Sequence, residues 1–503
     1  MRRLVFFSLS GLFLLFAGLA WWLHPAWGAG AIVFAVLIGY AVVDVVQNGN
    51  NVRRNFPLLG RVNEFLEKQR HVPQEILFQT SWEGRPFSRL QQRLVHKRAD
   101  DSLKNEPFGT EKDYRATGHD WLAHSLYPSR ECDDDLRVRI GGPDCAEPYE
   151  ASILNVAAMS FGSISENAVR ALCGGAREGR FAVNTGEGGL TDHHLEPGCD
   201  LIWQIGTAYF GCRTKDGDFC PDRFRETSRN PAVKMIEVKV SQGAKPGFGA
   251  ILPASKNTEE IARYRDIEPG EEIISPPHHS AFSDAEGLLA FIGELRELSG
   301  GKPVGIKFCL GNQGEFLRLR DAMASARRAP DFITVAGGEG GSGAADLDSV
   351  HHVGGPTEEA LVFVRDAIDT DDFTSEIKLL VAGKIVSGFD LVRYIALGAD
   401  AGYSARGMMF ALGCVQSLKC NANACPTGIT TMDPRLVHGL EPITKAKRVA
   451  NYHRNTMDGV RSLVLAAGLT RLADLDRHHI ERRISESNIE AFSEIYPRPA
   501  STP

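Results

Sequence analysis

Three cysteines spaced Cys414-x5-Cys420-x4-Cys425, with Pro426 directly after the last, are the residues of this sequence best suited to redox chemistry. They lie on a stretch rich in Asn and Gly, so one loop could turn all three thiolates toward a common centre. Soft thiolates select iron–sulfur or zinc. Structural zinc wants four ligands, often as CxxC pairs, and no obvious fourth sits nearby. Three ligands suit a three-iron cluster, and a Cys-Pro ending is familiar from ferredoxin-type loops. Unliganded core thiols are the remaining alternative, since a disulfide would leave one of the three unpaired. Cys132, Cys145, Cys173, Cys199, Cys212, Cys220 and Cys309 show no comparable ligand spacing, although Cys212 and Cys220 could pair in an oxidising compartment.

A second set of chemical groups stands at the ends of short apolar runs. Residues 153–159, 181–184, 201–205, 235–240, 304–308, 332–335, 379–382 and 401–404 read as eight strands separated by helical stretches. That is the α/β pattern of a (β/α)8 TIM barrel; a doubly wound sheet would more often show fewer strands. The strand ends carry Met159-Ser160-Phe161-Gly162, Asn184-Thr-Gly-Glu187-Gly-Gly189, Gln242-Gly-Ala-Lys-Pro-Gly247, Lys307, Gly337 to Gly343, Gly383-Lys384 and Ala405-Arg406-Gly407. Barrel enzymes keep their chemistry at that end. Glycine for tight turns explains any one of these loops but explains seven together poorly. The loops after strands seven and eight commonly hold a phosphate. There Gly383 and Gly388 would let backbone N–H groups close on an anion, with Lys384 or Arg406 adding charge. Lys239 and Lys307 could donate to a flavin's N1/C2-oxygen region, or form barrel salt bridges. No GxGxxG follows a strand, so no nicotinamide domain of that kind is expected.

The elements that carry these groups follow a different N-terminal material. Residues 4–23 hold no charge and are long enough to cross ~30 Å of hydrocarbon. A second apolar stretch, 29–46, carries only Asp44, expected as a helix-end residue near the interface. Arg2 and Arg3 precede the first run, and Arg53 and Arg54 follow the second. Positive charge at both outer ends predicts a transmembrane helical hairpin over 1–50, in a cell (inner) membrane, with the catalytic domain facing the cytoplasm. The rivals are a cleaved signal, twin-arginine included, with Ala29-Gly30-Ala31 as its site, and a buried soluble hairpin. Residues 51–150 read as a juxtamembrane helix (62–69) and an irregular lead-in, 151–440 as the barrel, and 441–503 as a C-terminal helical extension. A net charge of −7 with no long basic run argues against a nucleic-acid partner. Apolar residues at 43% and charged residues at 24% exclude a disordered chain.

Several of these motifs, collinear over about residues 153–472, resemble the FMN-binding domain of the glutamate synthase large subunit. They are Met159-Ser-Phe-Gly-Ser-Ile-Ser165, Asn184-Thr-Gly-Glu-Gly-Gly189, Gln242-Gly-Ala-Lys-Pro-Gly247, Ser275-Pro-Pro-His-His279, Gly340-Gly-Ser-Gly-Ala344, and Leu412-Gly-Cys to Cys425-Pro-Thr-Gly428. The resemblance implies FMN on the C-terminal face of the barrel and a [3Fe-4S] cluster held by Cys414, Cys420 and Cys425. It implies that ammonia joins 2-oxoglutarate and that the 2-iminoglutarate is reduced by reduced FMN to glutamate. Electrons would arrive from ferredoxin or a partner flavoprotein through the cluster. Flavin binding would fall to Met159, Ser160, Gly162, Gln204, Lys239, Gly341, Ser342, Gly343, Gly383, Lys384, Ala405 and Arg406. Lys307 would bind substrate carboxylate or flavin, and Glu187 would line the ammonia entrance, as the catalytic pair.

The departures concern substrate. No cysteine follows Met1, so the family's amidotransferase nucleophile is expected to be absent and ammonia to come free or delivered. Leu190 stands where the family has an acidic residue, Gly338-Glu339 where it has His-Asp, and Phe308-Cys-Leu-Gly-Asn-Gln-Gly314 where it has a Ser-Glu pair before glycine. Two alternatives therefore stay open. One is oxidation of another amino or N-methylamino acid, with electrons passed to a membrane acceptor. The other is a non-catalytic electron-relay subunit.

Overall fold

The computed structural model of the chain describes residues 2–47, 51–69, 84–102, 105, 108–132, 135–142, 144–243, 249–341 and 345–499. The chain divides into two compact units, Met1–Arg89 and Leu90–Pro503.

In the first unit, helices α1 (Arg2–Trp22) and α2 (Gly28–Val46) are joined by a single turn at Pro25–Trp27. They pack through Phe16, whose ring lies 5.7 Å from Trp27 and 5.4 Å from Phe34. Gly30 is needed there: a Cβ on it would lie 2.2 Å from the Phe16 ring. Most of the other large apolar side chains point outward, Phe7 and Trp21 among them. Both helices are long and apolar enough to cross a membrane. Asp44 is buried and functions as a clamp, accepting from Leu58 N at 3.0 Å and Arg61 Nε at 2.7 Å. A helix follows at Leu59–Gln69, covering the predicted one.

The second unit is built on a closed parallel barrel. Its strands are β1 (Leu154–Val156), β2 (Val183–Asn184), β3 (Leu201–Ile205), β4 (Val233–Lys239), β5 (Val304–Cys309), β6 (Phe332–Ala336), β7 (Lys378–Ala382) and β8 (Ala401–Ser404). All eight predicted segments are strands, because both faces of a parallel barrel strand are covered and its sequence becomes one unbroken apolar run. The lower barrel is filled by Ile202, Met235, Phe332, Leu380 and Ala401. Gly305 makes room for the Phe332 ring, which a Cβ would meet at 2.5 Å. The antiparallel pair Arg137–Ile140 and Tyr149–Ser152 closes this end, adding Ile140 and Ala151 to the same apolar cluster.

The C-terminal extension begins with a helix, Pro442–Ala466, packed on Glu166–Gly179, but it is not helical throughout as expected: Ile480–Arg483 and Ile489–Ala491 are paired strands. Gly175 lets the two approach: a Cβ would lie 2.7 Å from the Ala446 carbonyl. Two features escaped the sequence pattern. Helix Arg89–Ala99 lies in the segment read as irregular, and the long helix holds it, through Asn451 to Ala99 O (3.2 Å) and Asn455 to Arg98 O (2.9 Å). A three-stranded sheet joins Asp120–Leu122 to Ile480–Arg483 and Ile489–Ala491. Arg393 and Arg482 both bind Asp120 and Glu358 there, fixing the sheet to the barrel's outer helices.

Candidate functional site

Above the apolar layer the barrel interior turns polar. Glu237 on β4 is fully buried, and its carboxylate accepts from Asn184 Nδ2 (2.8 Å), Gln204 Nε2 (2.6 Å) and Thr334 Oγ1 (2.6 Å), one donor from each of β2, β3 and β6. A buried carboxylate with that many donors is stable where a bare one would not be. Gln204, expected at the flavin, spends its amide here.

Two residues further up β4 and β5, Lys239 and Lys307 reach the mouth in register with each other. Lys239 Nζ donates to Glu187 Oε1 at 2.7 Å, with both side chains largely buried. His279 holds the strand beneath, contacting the Lys239 carbonyl at 2.9 Å and Tyr209 Oη at 3.1 Å. Lys307 is buried, and among the described residues nothing hydrogen-bonds its ammonium. Burial holds its pKa below the ordinary lysine value; Glu237 and Glu187 oppose this, and Lys239 adds to it. Glu187, Lys239, Thr207, Ser241 and Gln242 line a narrow pocket at this mouth.

The loop after β1 packs directly on the loop after β2. Ser160 Oγ donates to Ser163 Oγ at 3.2 Å. Gly186 has φ +65°, and a Cβ there would meet Ser160 N at 2.5 Å; one on Gly188 would meet Ser160 Cβ at 2.8 Å. Arg265, unremarked in the sequence, is buried between these loops and donates Nη2 to Phe161 O at 3.0 Å, beside Gly162. Met159, Ser160, Gly162, Glu187, Lys239 and Lys307 thus converge on one end of the barrel.

The expected phosphate region lies on the neighbouring strands. Gly341 and Arg406 are brought together, a Cβ on Gly341 meeting the Arg406 guanidinium at 2.4 Å. Helix Arg406–Leu412 begins at Ala405 with no side-chain cap and no acidic residue in its first turn. Gly383 lies at the end of β7, its carbonyl accepting from Tyr394 Oη at 2.9 Å, and exposed Lys384 follows at φ 54°. Ser342 and Gly343, with most of the Gln242–Gly247 motif, lie outside the described residues. Gly388 is a different matter. It opens a helix closed by a capping box, Ser387 Oγ accepting from Asp390 N at 3.1 Å and the Asp390 carboxylate from Ser387 N at 2.8 Å, and it packs against the long C-terminal helix. Helix packing, rather than anion binding, accounts for that glycine. Glu339 likewise closes on Thr357, taking its backbone N–H at 3.0 Å and its hydroxyl.

A flavin fits this arrangement. A buried ammonium with no described partner suits an anionic ring or carboxylate, and uncapped amides beside an arginine suit a phosphate.

Cys414, Cys420 and Cys425 lie on the loop after helix Arg406–Leu412, which ends at Gly413 with φ 107°. Burial pushes the Cys414 thiol up to about 11, and Cys420 and Cys425 add to the rise, so the three groups share one electrostatic neighbourhood. At Cys425 burial opposes ionisation, but donors on Thr427 and Thr430 outweigh it and hold the thiol below its ordinary value. Gln416, Leu418 and Asn423 all have positive φ, a conformation costly for side-chain-bearing residues. Among the described residues, Glu166, His193 and Glu260 form the one His, Cys, Asp or Glu trio whose ligand atoms all lie within 4.8 Å of one another. Three soft donors on one loop, close enough to raise one another's pKa, suit an iron–sulfur centre.

Comparison with known proteins adds independent findings. Residues 145–470 match the family model described as the conserved region in glutamate synthase. The glutamate synthase large subunit-like protein YerD of Bacillus subtilis is 32% identical over 92% of this chain and 95% of its own length. The archaeal-type glutamate synthase [NADPH] of Thermotoga maritima is 34% identical over 63% of this chain. This chain matches about 60% of the length of that protein. A mandelate oxidase crystal structure with (S)-2-phenylpropionate has 17% identity and a TM-score of 0.44, over 80% of this chain and 98% of its own.

Proposed function

Given that the chain belongs to the glutamate synthase family, we propose that it is an FMN- and [3Fe-4S]-dependent oxidoreductase that reductively aminates 2-oxoglutarate, through 2-iminoglutarate, to glutamate. When bound, the flavin would supply two-electron reduction of the imine, and the cluster single-electron delivery. The observation that carries this reading is the barrel mouth: a buried Lys307 ammonium without a described partner, beside the Glu187–Lys239 pair.

Lys307 would bind a substrate carboxylate or the flavin ring. Burial makes that contact stronger than the same pair in water. Glu187, half-turned to the pocket, would attract ammonium, while Lys239 fixes its orientation. Met159, Ser160, Gly162 and Lys239 would hold the ring end of FMN, with Gln204 bound to Glu237 beneath them. Gly341, Ser342, Gly343, Gly383, Lys384, Ala405 and Arg406 would hold its phosphate end. Cys414, Cys420 and Cys425 would ligate the cluster, receiving electrons from ferredoxin or a flavoprotein subunit.

The domain plan goes with this reading: a hairpin anchor over 1–50, a lead-in over 51–150, the barrel over 151–440 and the helical extension over 441–503. Two apolar, outward-facing helices with arginines at both outer ends support a hairpin whose catalytic unit faces the cytoplasm. Residues 51–503 alone should leave the membrane fraction with the barrel intact; membrane retention of that truncation removes the hairpin from its role as sole anchor.

A second reading keeps the cofactors and runs the chemistry in the other direction, oxidising another amino or N-methylamino acid and feeding a membrane acceptor. It is favoured by the buried apolar run Phe308-Cys309-Leu310 after Lys307 and by Glu339, whose carboxylate is engaged with Thr357. Anaerobic assay separates the two. Glutamate formed from 2-oxoglutarate, ammonium and a chemical reductant supports the first. Bleaching of the flavin by an amino acid alone, without glutamate formation in the forward assay, replaces it with the second.

A further inference from the structure

Between the flavin-side loop and the cysteine loop lies a buried cation. Lys256, on the short turn Ala254–Lys256 in the segment between β4 and β5, is 2% exposed. Its Nζ donates to Ser163 O at 3.1 Å, on the loop that begins with Met159 and Ser160. Among the described residues this is the ammonium's one hydrogen bond, although it has three donors to give. On the other side, Asn423 Nδ2 donates to Ser255 O at 2.8 Å and so fastens the middle of the cysteine loop to the residue before Lys256. Ser165 binds the far end of the same loop through Gly428 O (2.7 Å) and Ile429 O (2.8 Å). Burial pushes the Lys256 amine down to about 8, while the negative charges of Cys420 and Cys425 pull it up.

A cation is costly in such a place unless negative charge compensates it. The Ser163 carbonyl is a dipole only. The available compensation is the thiolate set, and it grows when a cluster bound there takes up an electron.

Resting on the cluster reading above, we propose that Lys256 is the cluster's charge partner, stabilising its reduced state and so setting the potential at which electrons cross from the cysteine loop to the flavin-side loop. One electron enters from the donor and leaves for the flavin, with no bond made or broken. The reduced state carries one more negative charge than the oxidised one. A nearby cation in a medium of low dielectric lowers the energy of that state more than of its oxidised partner. Lys256 acts through charge and is a positioning residue rather than a catalytic one. Arg406 acts in the same sense on Cys414.

The test uses the full chain purified anaerobically, with iron and sulfide assayed and the cluster titrated against redox mediators by electron paramagnetic resonance. Lys256→Gln keeps a donor for Ser163 O and removes the charge; Lys256→Arg keeps the charge. The expected result is full iron loading in both, a midpoint potential shifted negative in Lys256→Gln, and one near wild type in Lys256→Arg. A loaded Lys256→Gln protein with the wild-type potential overturns this inference and leaves the cluster reading standing. Wild-type protein without iron or sulfide refutes the cluster reading, and this inference with it. Should Lys256→Gln fail to load, Lys256→Met repeats the neutral test, and a negative shift in Lys256→Arg would equally overturn the assignment.

Discussion

The barrel mouth and the cysteine loop lie at the same end of the barrel and are built on opposite plans. At the mouth the reactive groups are carried on strands, and the acceptors beneath them are satisfied by the protein itself. Glu237 has donors from three other strands, and Glu187 has Lys239. Residues 413–431 have neither strand nor helix, hold three side-chain-bearing residues at positive φ, and are fastened by a few side-chain bonds from Asn423, Thr431 and Ser165. The mouth keeps its geometry from within. The loop's geometry is maintained against a local cost, as expected where a bound group supplies the missing stabilisation.

The largest effect separating the two should come from Cys420→Ala. Iron content should fall to near zero and the cluster's paramagnetic signal should vanish, while the barrel keeps its circular dichroism and much of its flavin. A surviving signal would take Cys420 out of the ligand set. Next is Glu237→Leu, which strands Asn184, Gln204 and Thr334 and deprives Lys307 of the larger of the two negative charges that act on it. Denaturant unfolding should show a loss of about 3–5 kcal/mol. A loss below about 1 kcal/mol would mean that the polar layer does not hold the mouth together.

Acid should act on the frame under the mouth rather than on the loop. His453 contacts Ser152 Oγ at 3.0 Å and the Leu154 carbonyl at 3.1 Å at the start of β1, and it stacks on Phe181. Burial, with a smaller push from Arg137, lowers its pKa from 6.5 to about 3, against the Leu154 hydrogen bond. The folded state therefore stays neutral where the unfolded chain takes a proton. Its stabilisation is complete above pH 6.5 and is lost as pH falls toward about 3, at up to about 1.4 kcal/mol per pH unit. His453→Gln should flatten that slope in unfolding curves taken from pH 7 to pH 4; an unchanged slope would assign the acid sensitivity elsewhere.

The smallest effect belongs to Asn423→Ala, which removes the bonds to Ser255 O and from Met432 N and leaves alanine at φ 51°. Hydrogen exchange should show the cysteine loop opening more easily, by about 1 kcal/mol, with barrel amides unchanged. Equal loss of protection in barrel and loop would erase the contrast between them.

The legible parts of this protein are those whose signal is local. Continuous apolar runs name all eight strands because each is covered on both faces. The cysteine spacing marks one loop, since all three thiols of the trio lie on it. The polar strand ends name the mouth, since Lys239, Lys307 and Glu187 each directly end or follow such a run. What stayed hidden depends on partners distant in sequence. Glu237 is an ordinary strand residue until Asn184, Gln204 and Thr334 surround it. Arg265 and Lys256 are ordinary surface-type residues until the segment between β4 and β5 folds onto the loops. The sheet joining Asp120–Leu122 to Ile480–Arg483 pairs segments more than 350 residues apart, each too short to announce itself.

The sequence by itself therefore determined the barrel, the family likeness, the two apolar helices and the thiol trio, because periodicity, length and spacing are properties of the chain. Only the tertiary structure decided which charges are buried, which are matched and which are left facing the mouth. Desolvation and pairing are set by neighbours in space, and the order of residues does not encode them one position at a time.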